Sequence, residues 1–167
     1  HPHFAEIIDD TIRLRNEYCP QARISVLSNS TFIPRTKIHE ALSKVDNYIL
    51  KLDTISPGYI NKVDRPVQPS YDVNRIIAGI KAFNGQAIIQ TMFLKGTTEG
   101  GEDVDNTSES FIAPWLEAVK EIAPREVMIY TIDRETPDRF LRKATHEELD
   151  AIRDRVVALG IPCTASY

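Results

Sequence analysis

Two runs decide how this chain folds: Arg23-Ile24-Ser25-Val26-Leu27-Ser28-Asn29-Ser30-Thr31 and Tyr48-Ile49-Leu50-Lys51-Leu52-Asp53. Each is a short, mostly apolar, strand-like stretch ending in polar groups, and a single helical segment separates them. Strand, helix and strand with no hairpin signal between them imply a parallel βαβ unit. In a parallel α/β sheet or barrel, ligand chemistry sits at the carboxyl ends of the strands, where these polar groups stand. The layout points to a small-molecule site rather than to a plain packing module.

The same alternation extends in both directions. Upstream, Phe4, Ile7, Ile8 and Ile12 share one face of a helix expected over about His3 to Glu17, which Pro20 stops. Between the two runs, Pro34 suits the first turn of a helix carrying Ile38, Ala41 and Leu42. A long connection comes after Asp53 and contains Pro57, Gly58, Pro66 and Pro69.

From about Asp72, the residues Val73, Ile76, Ile77, Ile80 and Phe83 keep helical spacing, and Asn84-Gly85 ends the run. Ala87 to Leu94 reads as a third strand. Phe111, Trp115, Leu116, Val119 and Ile122 mark the next helix, with Pro114 tolerable in a first turn. Glu126 to Ile132 reads as the fourth strand. Thr145 and Glu148 form a capping box for a last helix with a Leu149, Ile152, Val156, Leu159 stripe, closed by Gly160. Ile161-Pro162-Cys163-Thr164 is the candidate opening of a fifth strand.

The expected fold class is therefore α/β, a parallel sheet with alternating helices. Four strands and a candidate fifth are too few to close an eight-stranded barrel, which leaves a small open sheet or part of an incomplete barrel. With 167 residues the chain reads as a single domain over 1–167. Hydrophobic residues at 42% and charged residues at 26% are near globular averages. A formal net charge of −4 gives no general pull toward phosphate backbones or anionic lipid. No apolar run approaches the ~18 residues of a membrane-spanning helix. Cys19 and Cys163 stand alone near opposite ends, which fits a reducing cytoplasm better than a disulfide framework.

Alternation also sorts the strand faces. Ile49, Lys51 and Asp53 share one side of the second strand, and Tyr48, Leu50 and Leu52 share the other. A lysine and a carboxylate on a sheet must pair, reach water or meet a ligand, and an internal salt bridge satisfies this as well as a ligand does. On the third strand Gln86, Ile88, Gln90 and Met92 lie together, opposite Ala87, Ile89, Thr91 and Phe93. Ser28 and Asn29 end the first strand, where turn and capping roles are the commoner use. The fourth strand runs through Tyr130 and Thr131 to Asp133 and Arg134.

Other motifs are weaker. Lys95-Gly96 is followed by two threonines and makes no phosphate loop, and the histidines have no ligating spacing. Asp103-Val104-Asp105-Asn106 faintly resembles a calcium loop but lacks its turn glycine.

Taken in order, Ser28-Asn29-Ser30-Thr31, Lys51-Leu52-Asp53, Asn61-Lys62-Val63-Asp64-Arg65-Pro66, Ile89-Gln90-Thr91-Met92 and Tyr130-Thr131-Ile132-Asp133-Arg134 resemble the later part of a radical S-adenosylmethionine (radical SAM) protein. His1-Pro2-His3-Phe4 resembles the residues just after the Gly-Glu-Pro motif in that superfamily. The likeness covers nearly the whole chain and rests on the order and spacing of motifs that are individually short.

The resemblance implies part of a (β/α)6 partial TIM barrel. It places Ser28 and Asn29 near the methionyl part of S-adenosylmethionine (SAM) and Asp53 at the ribose. Lys51 would stand ready to neutralise a carboxylate, and Gln90, Met92 and Tyr130 would form a wall near the adenine. It also implies a [4Fe-4S] cluster held by three cysteines in a CxxxCxxC motif, which Cys19 and Cys163 cannot supply. The Gly-Glu-Pro motif is absent as well.

The expected reading is the C-terminal portion of a radical SAM core, with the first two βα units absent. The full-length protein would bind the cluster and SAM and act on an unknown substrate, with a partner protein or tRNA among the classes found in relatives. This chain alone would be inactive. The alternative is a non-catalytic SAM-binding or interaction module, self-associating through an open edge strand from Ile24 to Ser28. The substrate-facing loops are expected over Thr54 to Ser70, Gly96 to Asn106 and Asp133 to Ala144.

Overall fold

The computed structural model describes residues 1–67, 70–136 and 138–167. Among these, strands β1 (Ser25–Ser28), β2 (Asn47–Lys51), β3 (Ile88–Met92), β5 (Glu126–Tyr130) and β7 (Cys163–Ser166) form one sheet in that consecutive order, every pair parallel. The parallel α/β expectation holds, and the fifth strand exists, beginning at Cys163 rather than Ile161. Consecutive order with crossovers of one hand places successive helices on the same side of a sheet, the arrangement of a barrel wall rather than of a doubly wound sheet.

The core agrees. Tyr48 and Leu50 of β2, Ile89 of β3, and Val127 and Ile129 of β5 are buried in one cluster. Helices α2 (Thr36–Leu42), α4 (Val73–Lys81), α5 (Glu109–Ile122) and α6 (His146–Ala158) contribute Leu42, Ile80, Val119 and Leu149 to it. Leu27, Ile49, Gln90 and Met128 lie on the opposite face, which these helices do not cover.

Helix α1 (Phe4–Tyr18) packs on α2 and turns Phe4, Ala5, Ile8 and Ile12 to the core. Ile7, expected on that face, is 47% exposed, because only the Ile8 side of α1 meets α2. Pro34 lies in a turn before α2, whose N-cap is Arg35, so it precedes the helix rather than opening it. Pro114 is the sixth residue of α5, beyond the first turn where it was expected. There it denies the Ser110 carbonyl its helical partner, and the helix persists because Ile112, Trp115, Leu116 and Val119 are buried around the break. The capping box of Thr145 and Glu148 is present at α6.

Two elements depart further from expectation. The connection after Asp53 contains a short helix, α3 (Pro57–Tyr59), running directly into a π-helical turn over Ile60–Asp64. Ser56 caps it by accepting the Tyr59 N–H, and Pro57 takes the first position. Arg65, in the left-handed region at φ 45°, ends it. Pro69 lies outside the described residues.

The third strand does not run through to Leu94. It breaks after Met92, and β4 (Leu94–Gly96) pairs antiparallel with β6 (Leu141–Lys143) as a separate ribbon. Gly96 makes this close approach possible: at φ +99° a Cβ there would lie 2.1 Å from the Phe140 carbonyl oxygen. Tyr59, Leu94 and Val104 form a second small core under the ribbon, with the Tyr59 hydroxyl donating to the Val104 carbonyl at 3.0 Å.

Candidate functional site

The carboxyl end of β2 is the centre of the site. The Lys51 ammonium stands 3.0 Å from Oδ2 of Asp53, so the two same-side charges do form the internal salt bridge that alternation allowed. The other carboxylate oxygen of Asp53 accepts the Met92 backbone N–H at 2.8 Å. Asp53 is only 8% exposed, a degree of burial a carboxylate tolerates because both oxygens are bonded.

A second carboxylate meets the first. The π-helical turn carries Asp64 to hydrogen-bonding contact with Asp53. Two carboxylates can share a hydrogen bond only if one carries a proton. Burial holds the Asp53 carboxyl above its ordinary value, against the opposing pull of Lys51 and the Met92 N–H. Enclosure in the cleft, then the Asp53 charge, pushes the Asp64 carboxyl up to about 6. Both carboxyls are thus held above their ordinary values and the proton belongs to the pair, the bond drawing it toward Asp64 and Lys51 opposing it at both. Burial pulls the Lys51 ammonium toward neutrality, and Asp53 more than offsets it, leaving the lysine charged.

These groups line a cleft of about 330 Å³ together with Asn29, Thr31, Arg65 and Tyr71. Burial, with the Asp64 and Asp53 charges behind it, raises the Tyr71 hydroxyl above its ordinary value and keeps it a neutral donor. A second cleft of about 350 Å³ lies under the ribbon at the ends of β3 and β5. Its walls are the mostly apolar Met92, Leu94, Tyr130, Ile132 and Leu141, with Asp133, Arg134 and Glu135 also lining it.

The expected site residues thus divide. Asn29, Lys51 and Asp53 come together in the polar cleft. Met92 and Tyr130 come together in the apolar one. Gln90 sits between Lys51 and Met128 on the open face and lines neither. Ser28 pairs in register with Leu50, on the helix side, and its hydroxyl accepts the Ser30 N–H at 3.1 Å. Asn29 likewise accepts the Thr31 N–H at 3.2 Å while lining the cleft. Both carry the turn role that their residue types favour.

Tyr71 was not anticipated, and Asp64, quoted within the run Asn61 to Pro66, had no role assigned to it. The signal for Asp64 lay in Ser56-Pro57, a cap followed by a first-turn proline, which announces a helical element inside the long connection.

A one-sided, consecutive parallel β/α sheet with its clefts at the strand ends defines the class: this is the partial-barrel fold of radical SAM enzymes. Solved structures superpose on it over nearly the whole chain. A domain of a pyruvate-formate lyase-activating enzyme from Bacteroides vulgatus matches with a TM-score of 0.68 at 14% identity, covering 99% of this chain and 92% of that one. The SuiB protein of Streptococcus suis, solved bound to S-adenosylmethionine, matches at 0.66 and 12% identity over 98% of this chain and 36% of its own. A radical SAM methyltransferase from Sphaerobacter thermophilus matches at 0.58 and 16% identity over 86% and 40%.

In sequence, the chain is similar to UPF0026 proteins. One from Helicobacter pylori strain J99 is 28% identical over 154 residues, 89% of this chain and 45% of the relative. One from Synechocystis is 29% identical over 116 residues, 67% and 40%. The chain spans less than half the length of these curated relatives. No protein-family description matches it.

Proposed function

We propose that this chain is the SAM-facing wall of a radical SAM enzyme, the C-terminal portion of a core whose first two βα units lie outside it. The observation that carries the reading is Asp53. A nearly buried carboxylate, paired to Lys51 and facing a cleft at a strand end, is what a hydroxylated or cationic ligand group needs. Its donor set suits SAM: carboxylates and a tyrosine hydroxyl for ribose or ammonium, Lys51 for a carboxylate, and the apolar cleft of Met92 and Tyr130 for a flat base.

The residues present do not fit a [4Fe-4S] cluster. Cys19 is exposed, and Cys163, half-buried on β7, has its thiol pushed up to about 11, mainly by burial. Among the described residues, no three His, Cys, Asp or Glu side chains could hold a metal. In the full-length protein the cluster would be held by other residues and would supply the one electron that breaks the S–C5′ bond of SAM, giving methionine and a 5′-deoxyadenosyl radical. This chain by itself would bind and orient SAM without catalysing its cleavage. Its substrate is unassigned, with a partner protein or tRNA as the two classes to test. The net charge of −4 weighs against RNA contact by this part. No helix among the described residues is long and apolar enough to cross a membrane. We place the protein in the cytoplasm on its two lone thiols.

The test is calorimetric titration of the full-length protein with SAM, with Asp53→Asn expected to weaken binding about tenfold. Anaerobic reconstitution should yield 5′-deoxyadenosine. A protein that holds a cluster but forms none with any reductant would sink the catalytic reading.

The open edge favours a second reading, a non-catalytic interaction module. β1 has no outer neighbour among the described strands. Leu27 on it is 64% exposed, and Ile7, Leu14 and Tyr18 leave an apolar stripe along α1. Under this reading two copies pair along β1.

A further inference from the structure

The strand end that presents Asp53 is built around a broken ladder. Lys51 pairs with Gln90, and the Leu52 N–H donates to the Gln90 carbonyl at 3.0 Å. Continued one step, a parallel ladder of this register would have the Met92 N–H donate to the Leu52 carbonyl. It does not: the Asp53 carboxylate takes the Met92 N–H instead.

That substitution strands the Leu52 carbonyl in the interior, where an unpaired acceptor is costly. Two buried side chains from different elements converge on it. The Thr91 hydroxyl of β3 donates at 2.8 Å, and the Trp115 indole N–H of α5 donates at 3.1 Å. Trp115 is held edge-on against Phe93, with ring centroids 5.3 Å apart, which leaves the indole little freedom to turn. The Leu52-Asp53 peptide is therefore clamped from behind while its side chain is clamped in front.

We infer that Thr91 and Trp115 are positioning residues for Asp53: by holding the Leu52 carbonyl out of the ladder they free the Met92 N–H for the carboxylate and set where that carboxylate stands in the cleft. The inference rests on the proposed role of Asp53 for its consequence in SAM binding, but not for the geometry itself. With either donor gone, the Leu52 carbonyl keeps a single partner and an open lone pair that draws the Met92 N–H back toward the ladder, weakening its bond to Asp53 and the orientation that bond fixes.

The test uses the full-length protein labelled with 15N-methionine, comparing Thr91→Val, Thr91→Ser and Trp115→Phe with the parent by the Met92 amide resonance and by SAM titration. Thr91→Val and Trp115→Phe are expected to shift the Met92 amide and to weaken SAM binding about threefold to tenfold. Thr91→Ser, which keeps the hydroxyl, should restore both. If Trp115→Phe fails to fold, the Thr91 pair still decides. A Met92 amide that is unmoved in Thr91→Val, or equally moved in Thr91→Ser, overturns the inference. Asp53→Asn separates the two claims: if it leaves SAM affinity unchanged, the role of Asp53 in SAM binding falls, and the positioning inference stands or falls on the Met92 amide alone.

Discussion

At the scale of single residues, the site turns on one proton. Asp53, Asp64 and Lys51 bring two carboxylates and one ammonium to the same spot, so the second carboxylate is short of a counter-charge. Tyr71 lines the same cleft and Tyr59 and Tyr130 lie within reach of its charges, and burial, as the largest influence, raises all three hydroxyls and keeps them neutral. Asp64 should titrate near pH 6, which a carboxyl 13C titration would read directly. Lys51→Met, by removing the one compensating charge, should move that midpoint higher; an ordinary carboxylate midpoint in the parent would refute the shared proton. The linkage has a definite sign. The folded chain holds this proton more tightly than the unfolded chain, so the contribution to stability is complete below the ordinary value of 3.8 and is lost as pH rises through about 6. It is modest, because Asp64 keeps an exposed side that water screens. Lys51 and Asp53 were legible from the two-residue period of a strand. The place of Asp64 was not: Ser56-Pro57 announces that a helical element starts, but nothing in the sequence announces that it continues as the π-helical turn that carries Asp64 to the site.

At the scale of elements, the β4–β6 ribbon shows how an irregular piece is made compulsory. Gly96 is the point of closest approach, and Gly96→Ala is expected to cost roughly 1–3 kcal/mol from the left-handed backbone and the collision with the Phe140 carbonyl. Gly101→Ala provides the contrast: it shares a positive φ of +78° but has nothing within 4 Å of the added methyl, so its cost should be smaller. Urea unfolding midpoints of the two variants would show the difference, and equal midpoints would mean the ribbon yields easily. Lys95 ties the ribbon to α6 through a salt bridge with Glu148, the same side chain that completes the capping box. The capping box could be read from four residues because its partners are neighbours. The ribbon could not, because its strands lie in separate loops and each is three residues long, too short for an alternation pattern to show.

At the scale of the whole molecule, the half barrel has one finished side and one open one. The helix-covered face carries the core, while β1 ends the sheet with Leu27 exposed beside it. If copies of this chain pair along that edge, sedimentation velocity should show mass rising with concentration, and Leu27→Lys should shift it toward monomer without a loss of stability, because the side chain is not buried. A parent that stays monomeric at high concentration would remove the interaction-module reading. The order of the main elements, the packed face of β2 and the capping box of α6 were determined by the sequence alone, since all three arise from local periods and near-neighbour hydrogen bonds. Only the tertiary structure decided that Asp64 meets Asp53, that the expected site residues divide between two clefts, and that Thr91 and Trp115 share the Leu52 carbonyl. Those contacts join residues far apart in the chain, and they depend on strand register and helix placement, which no local pattern encodes.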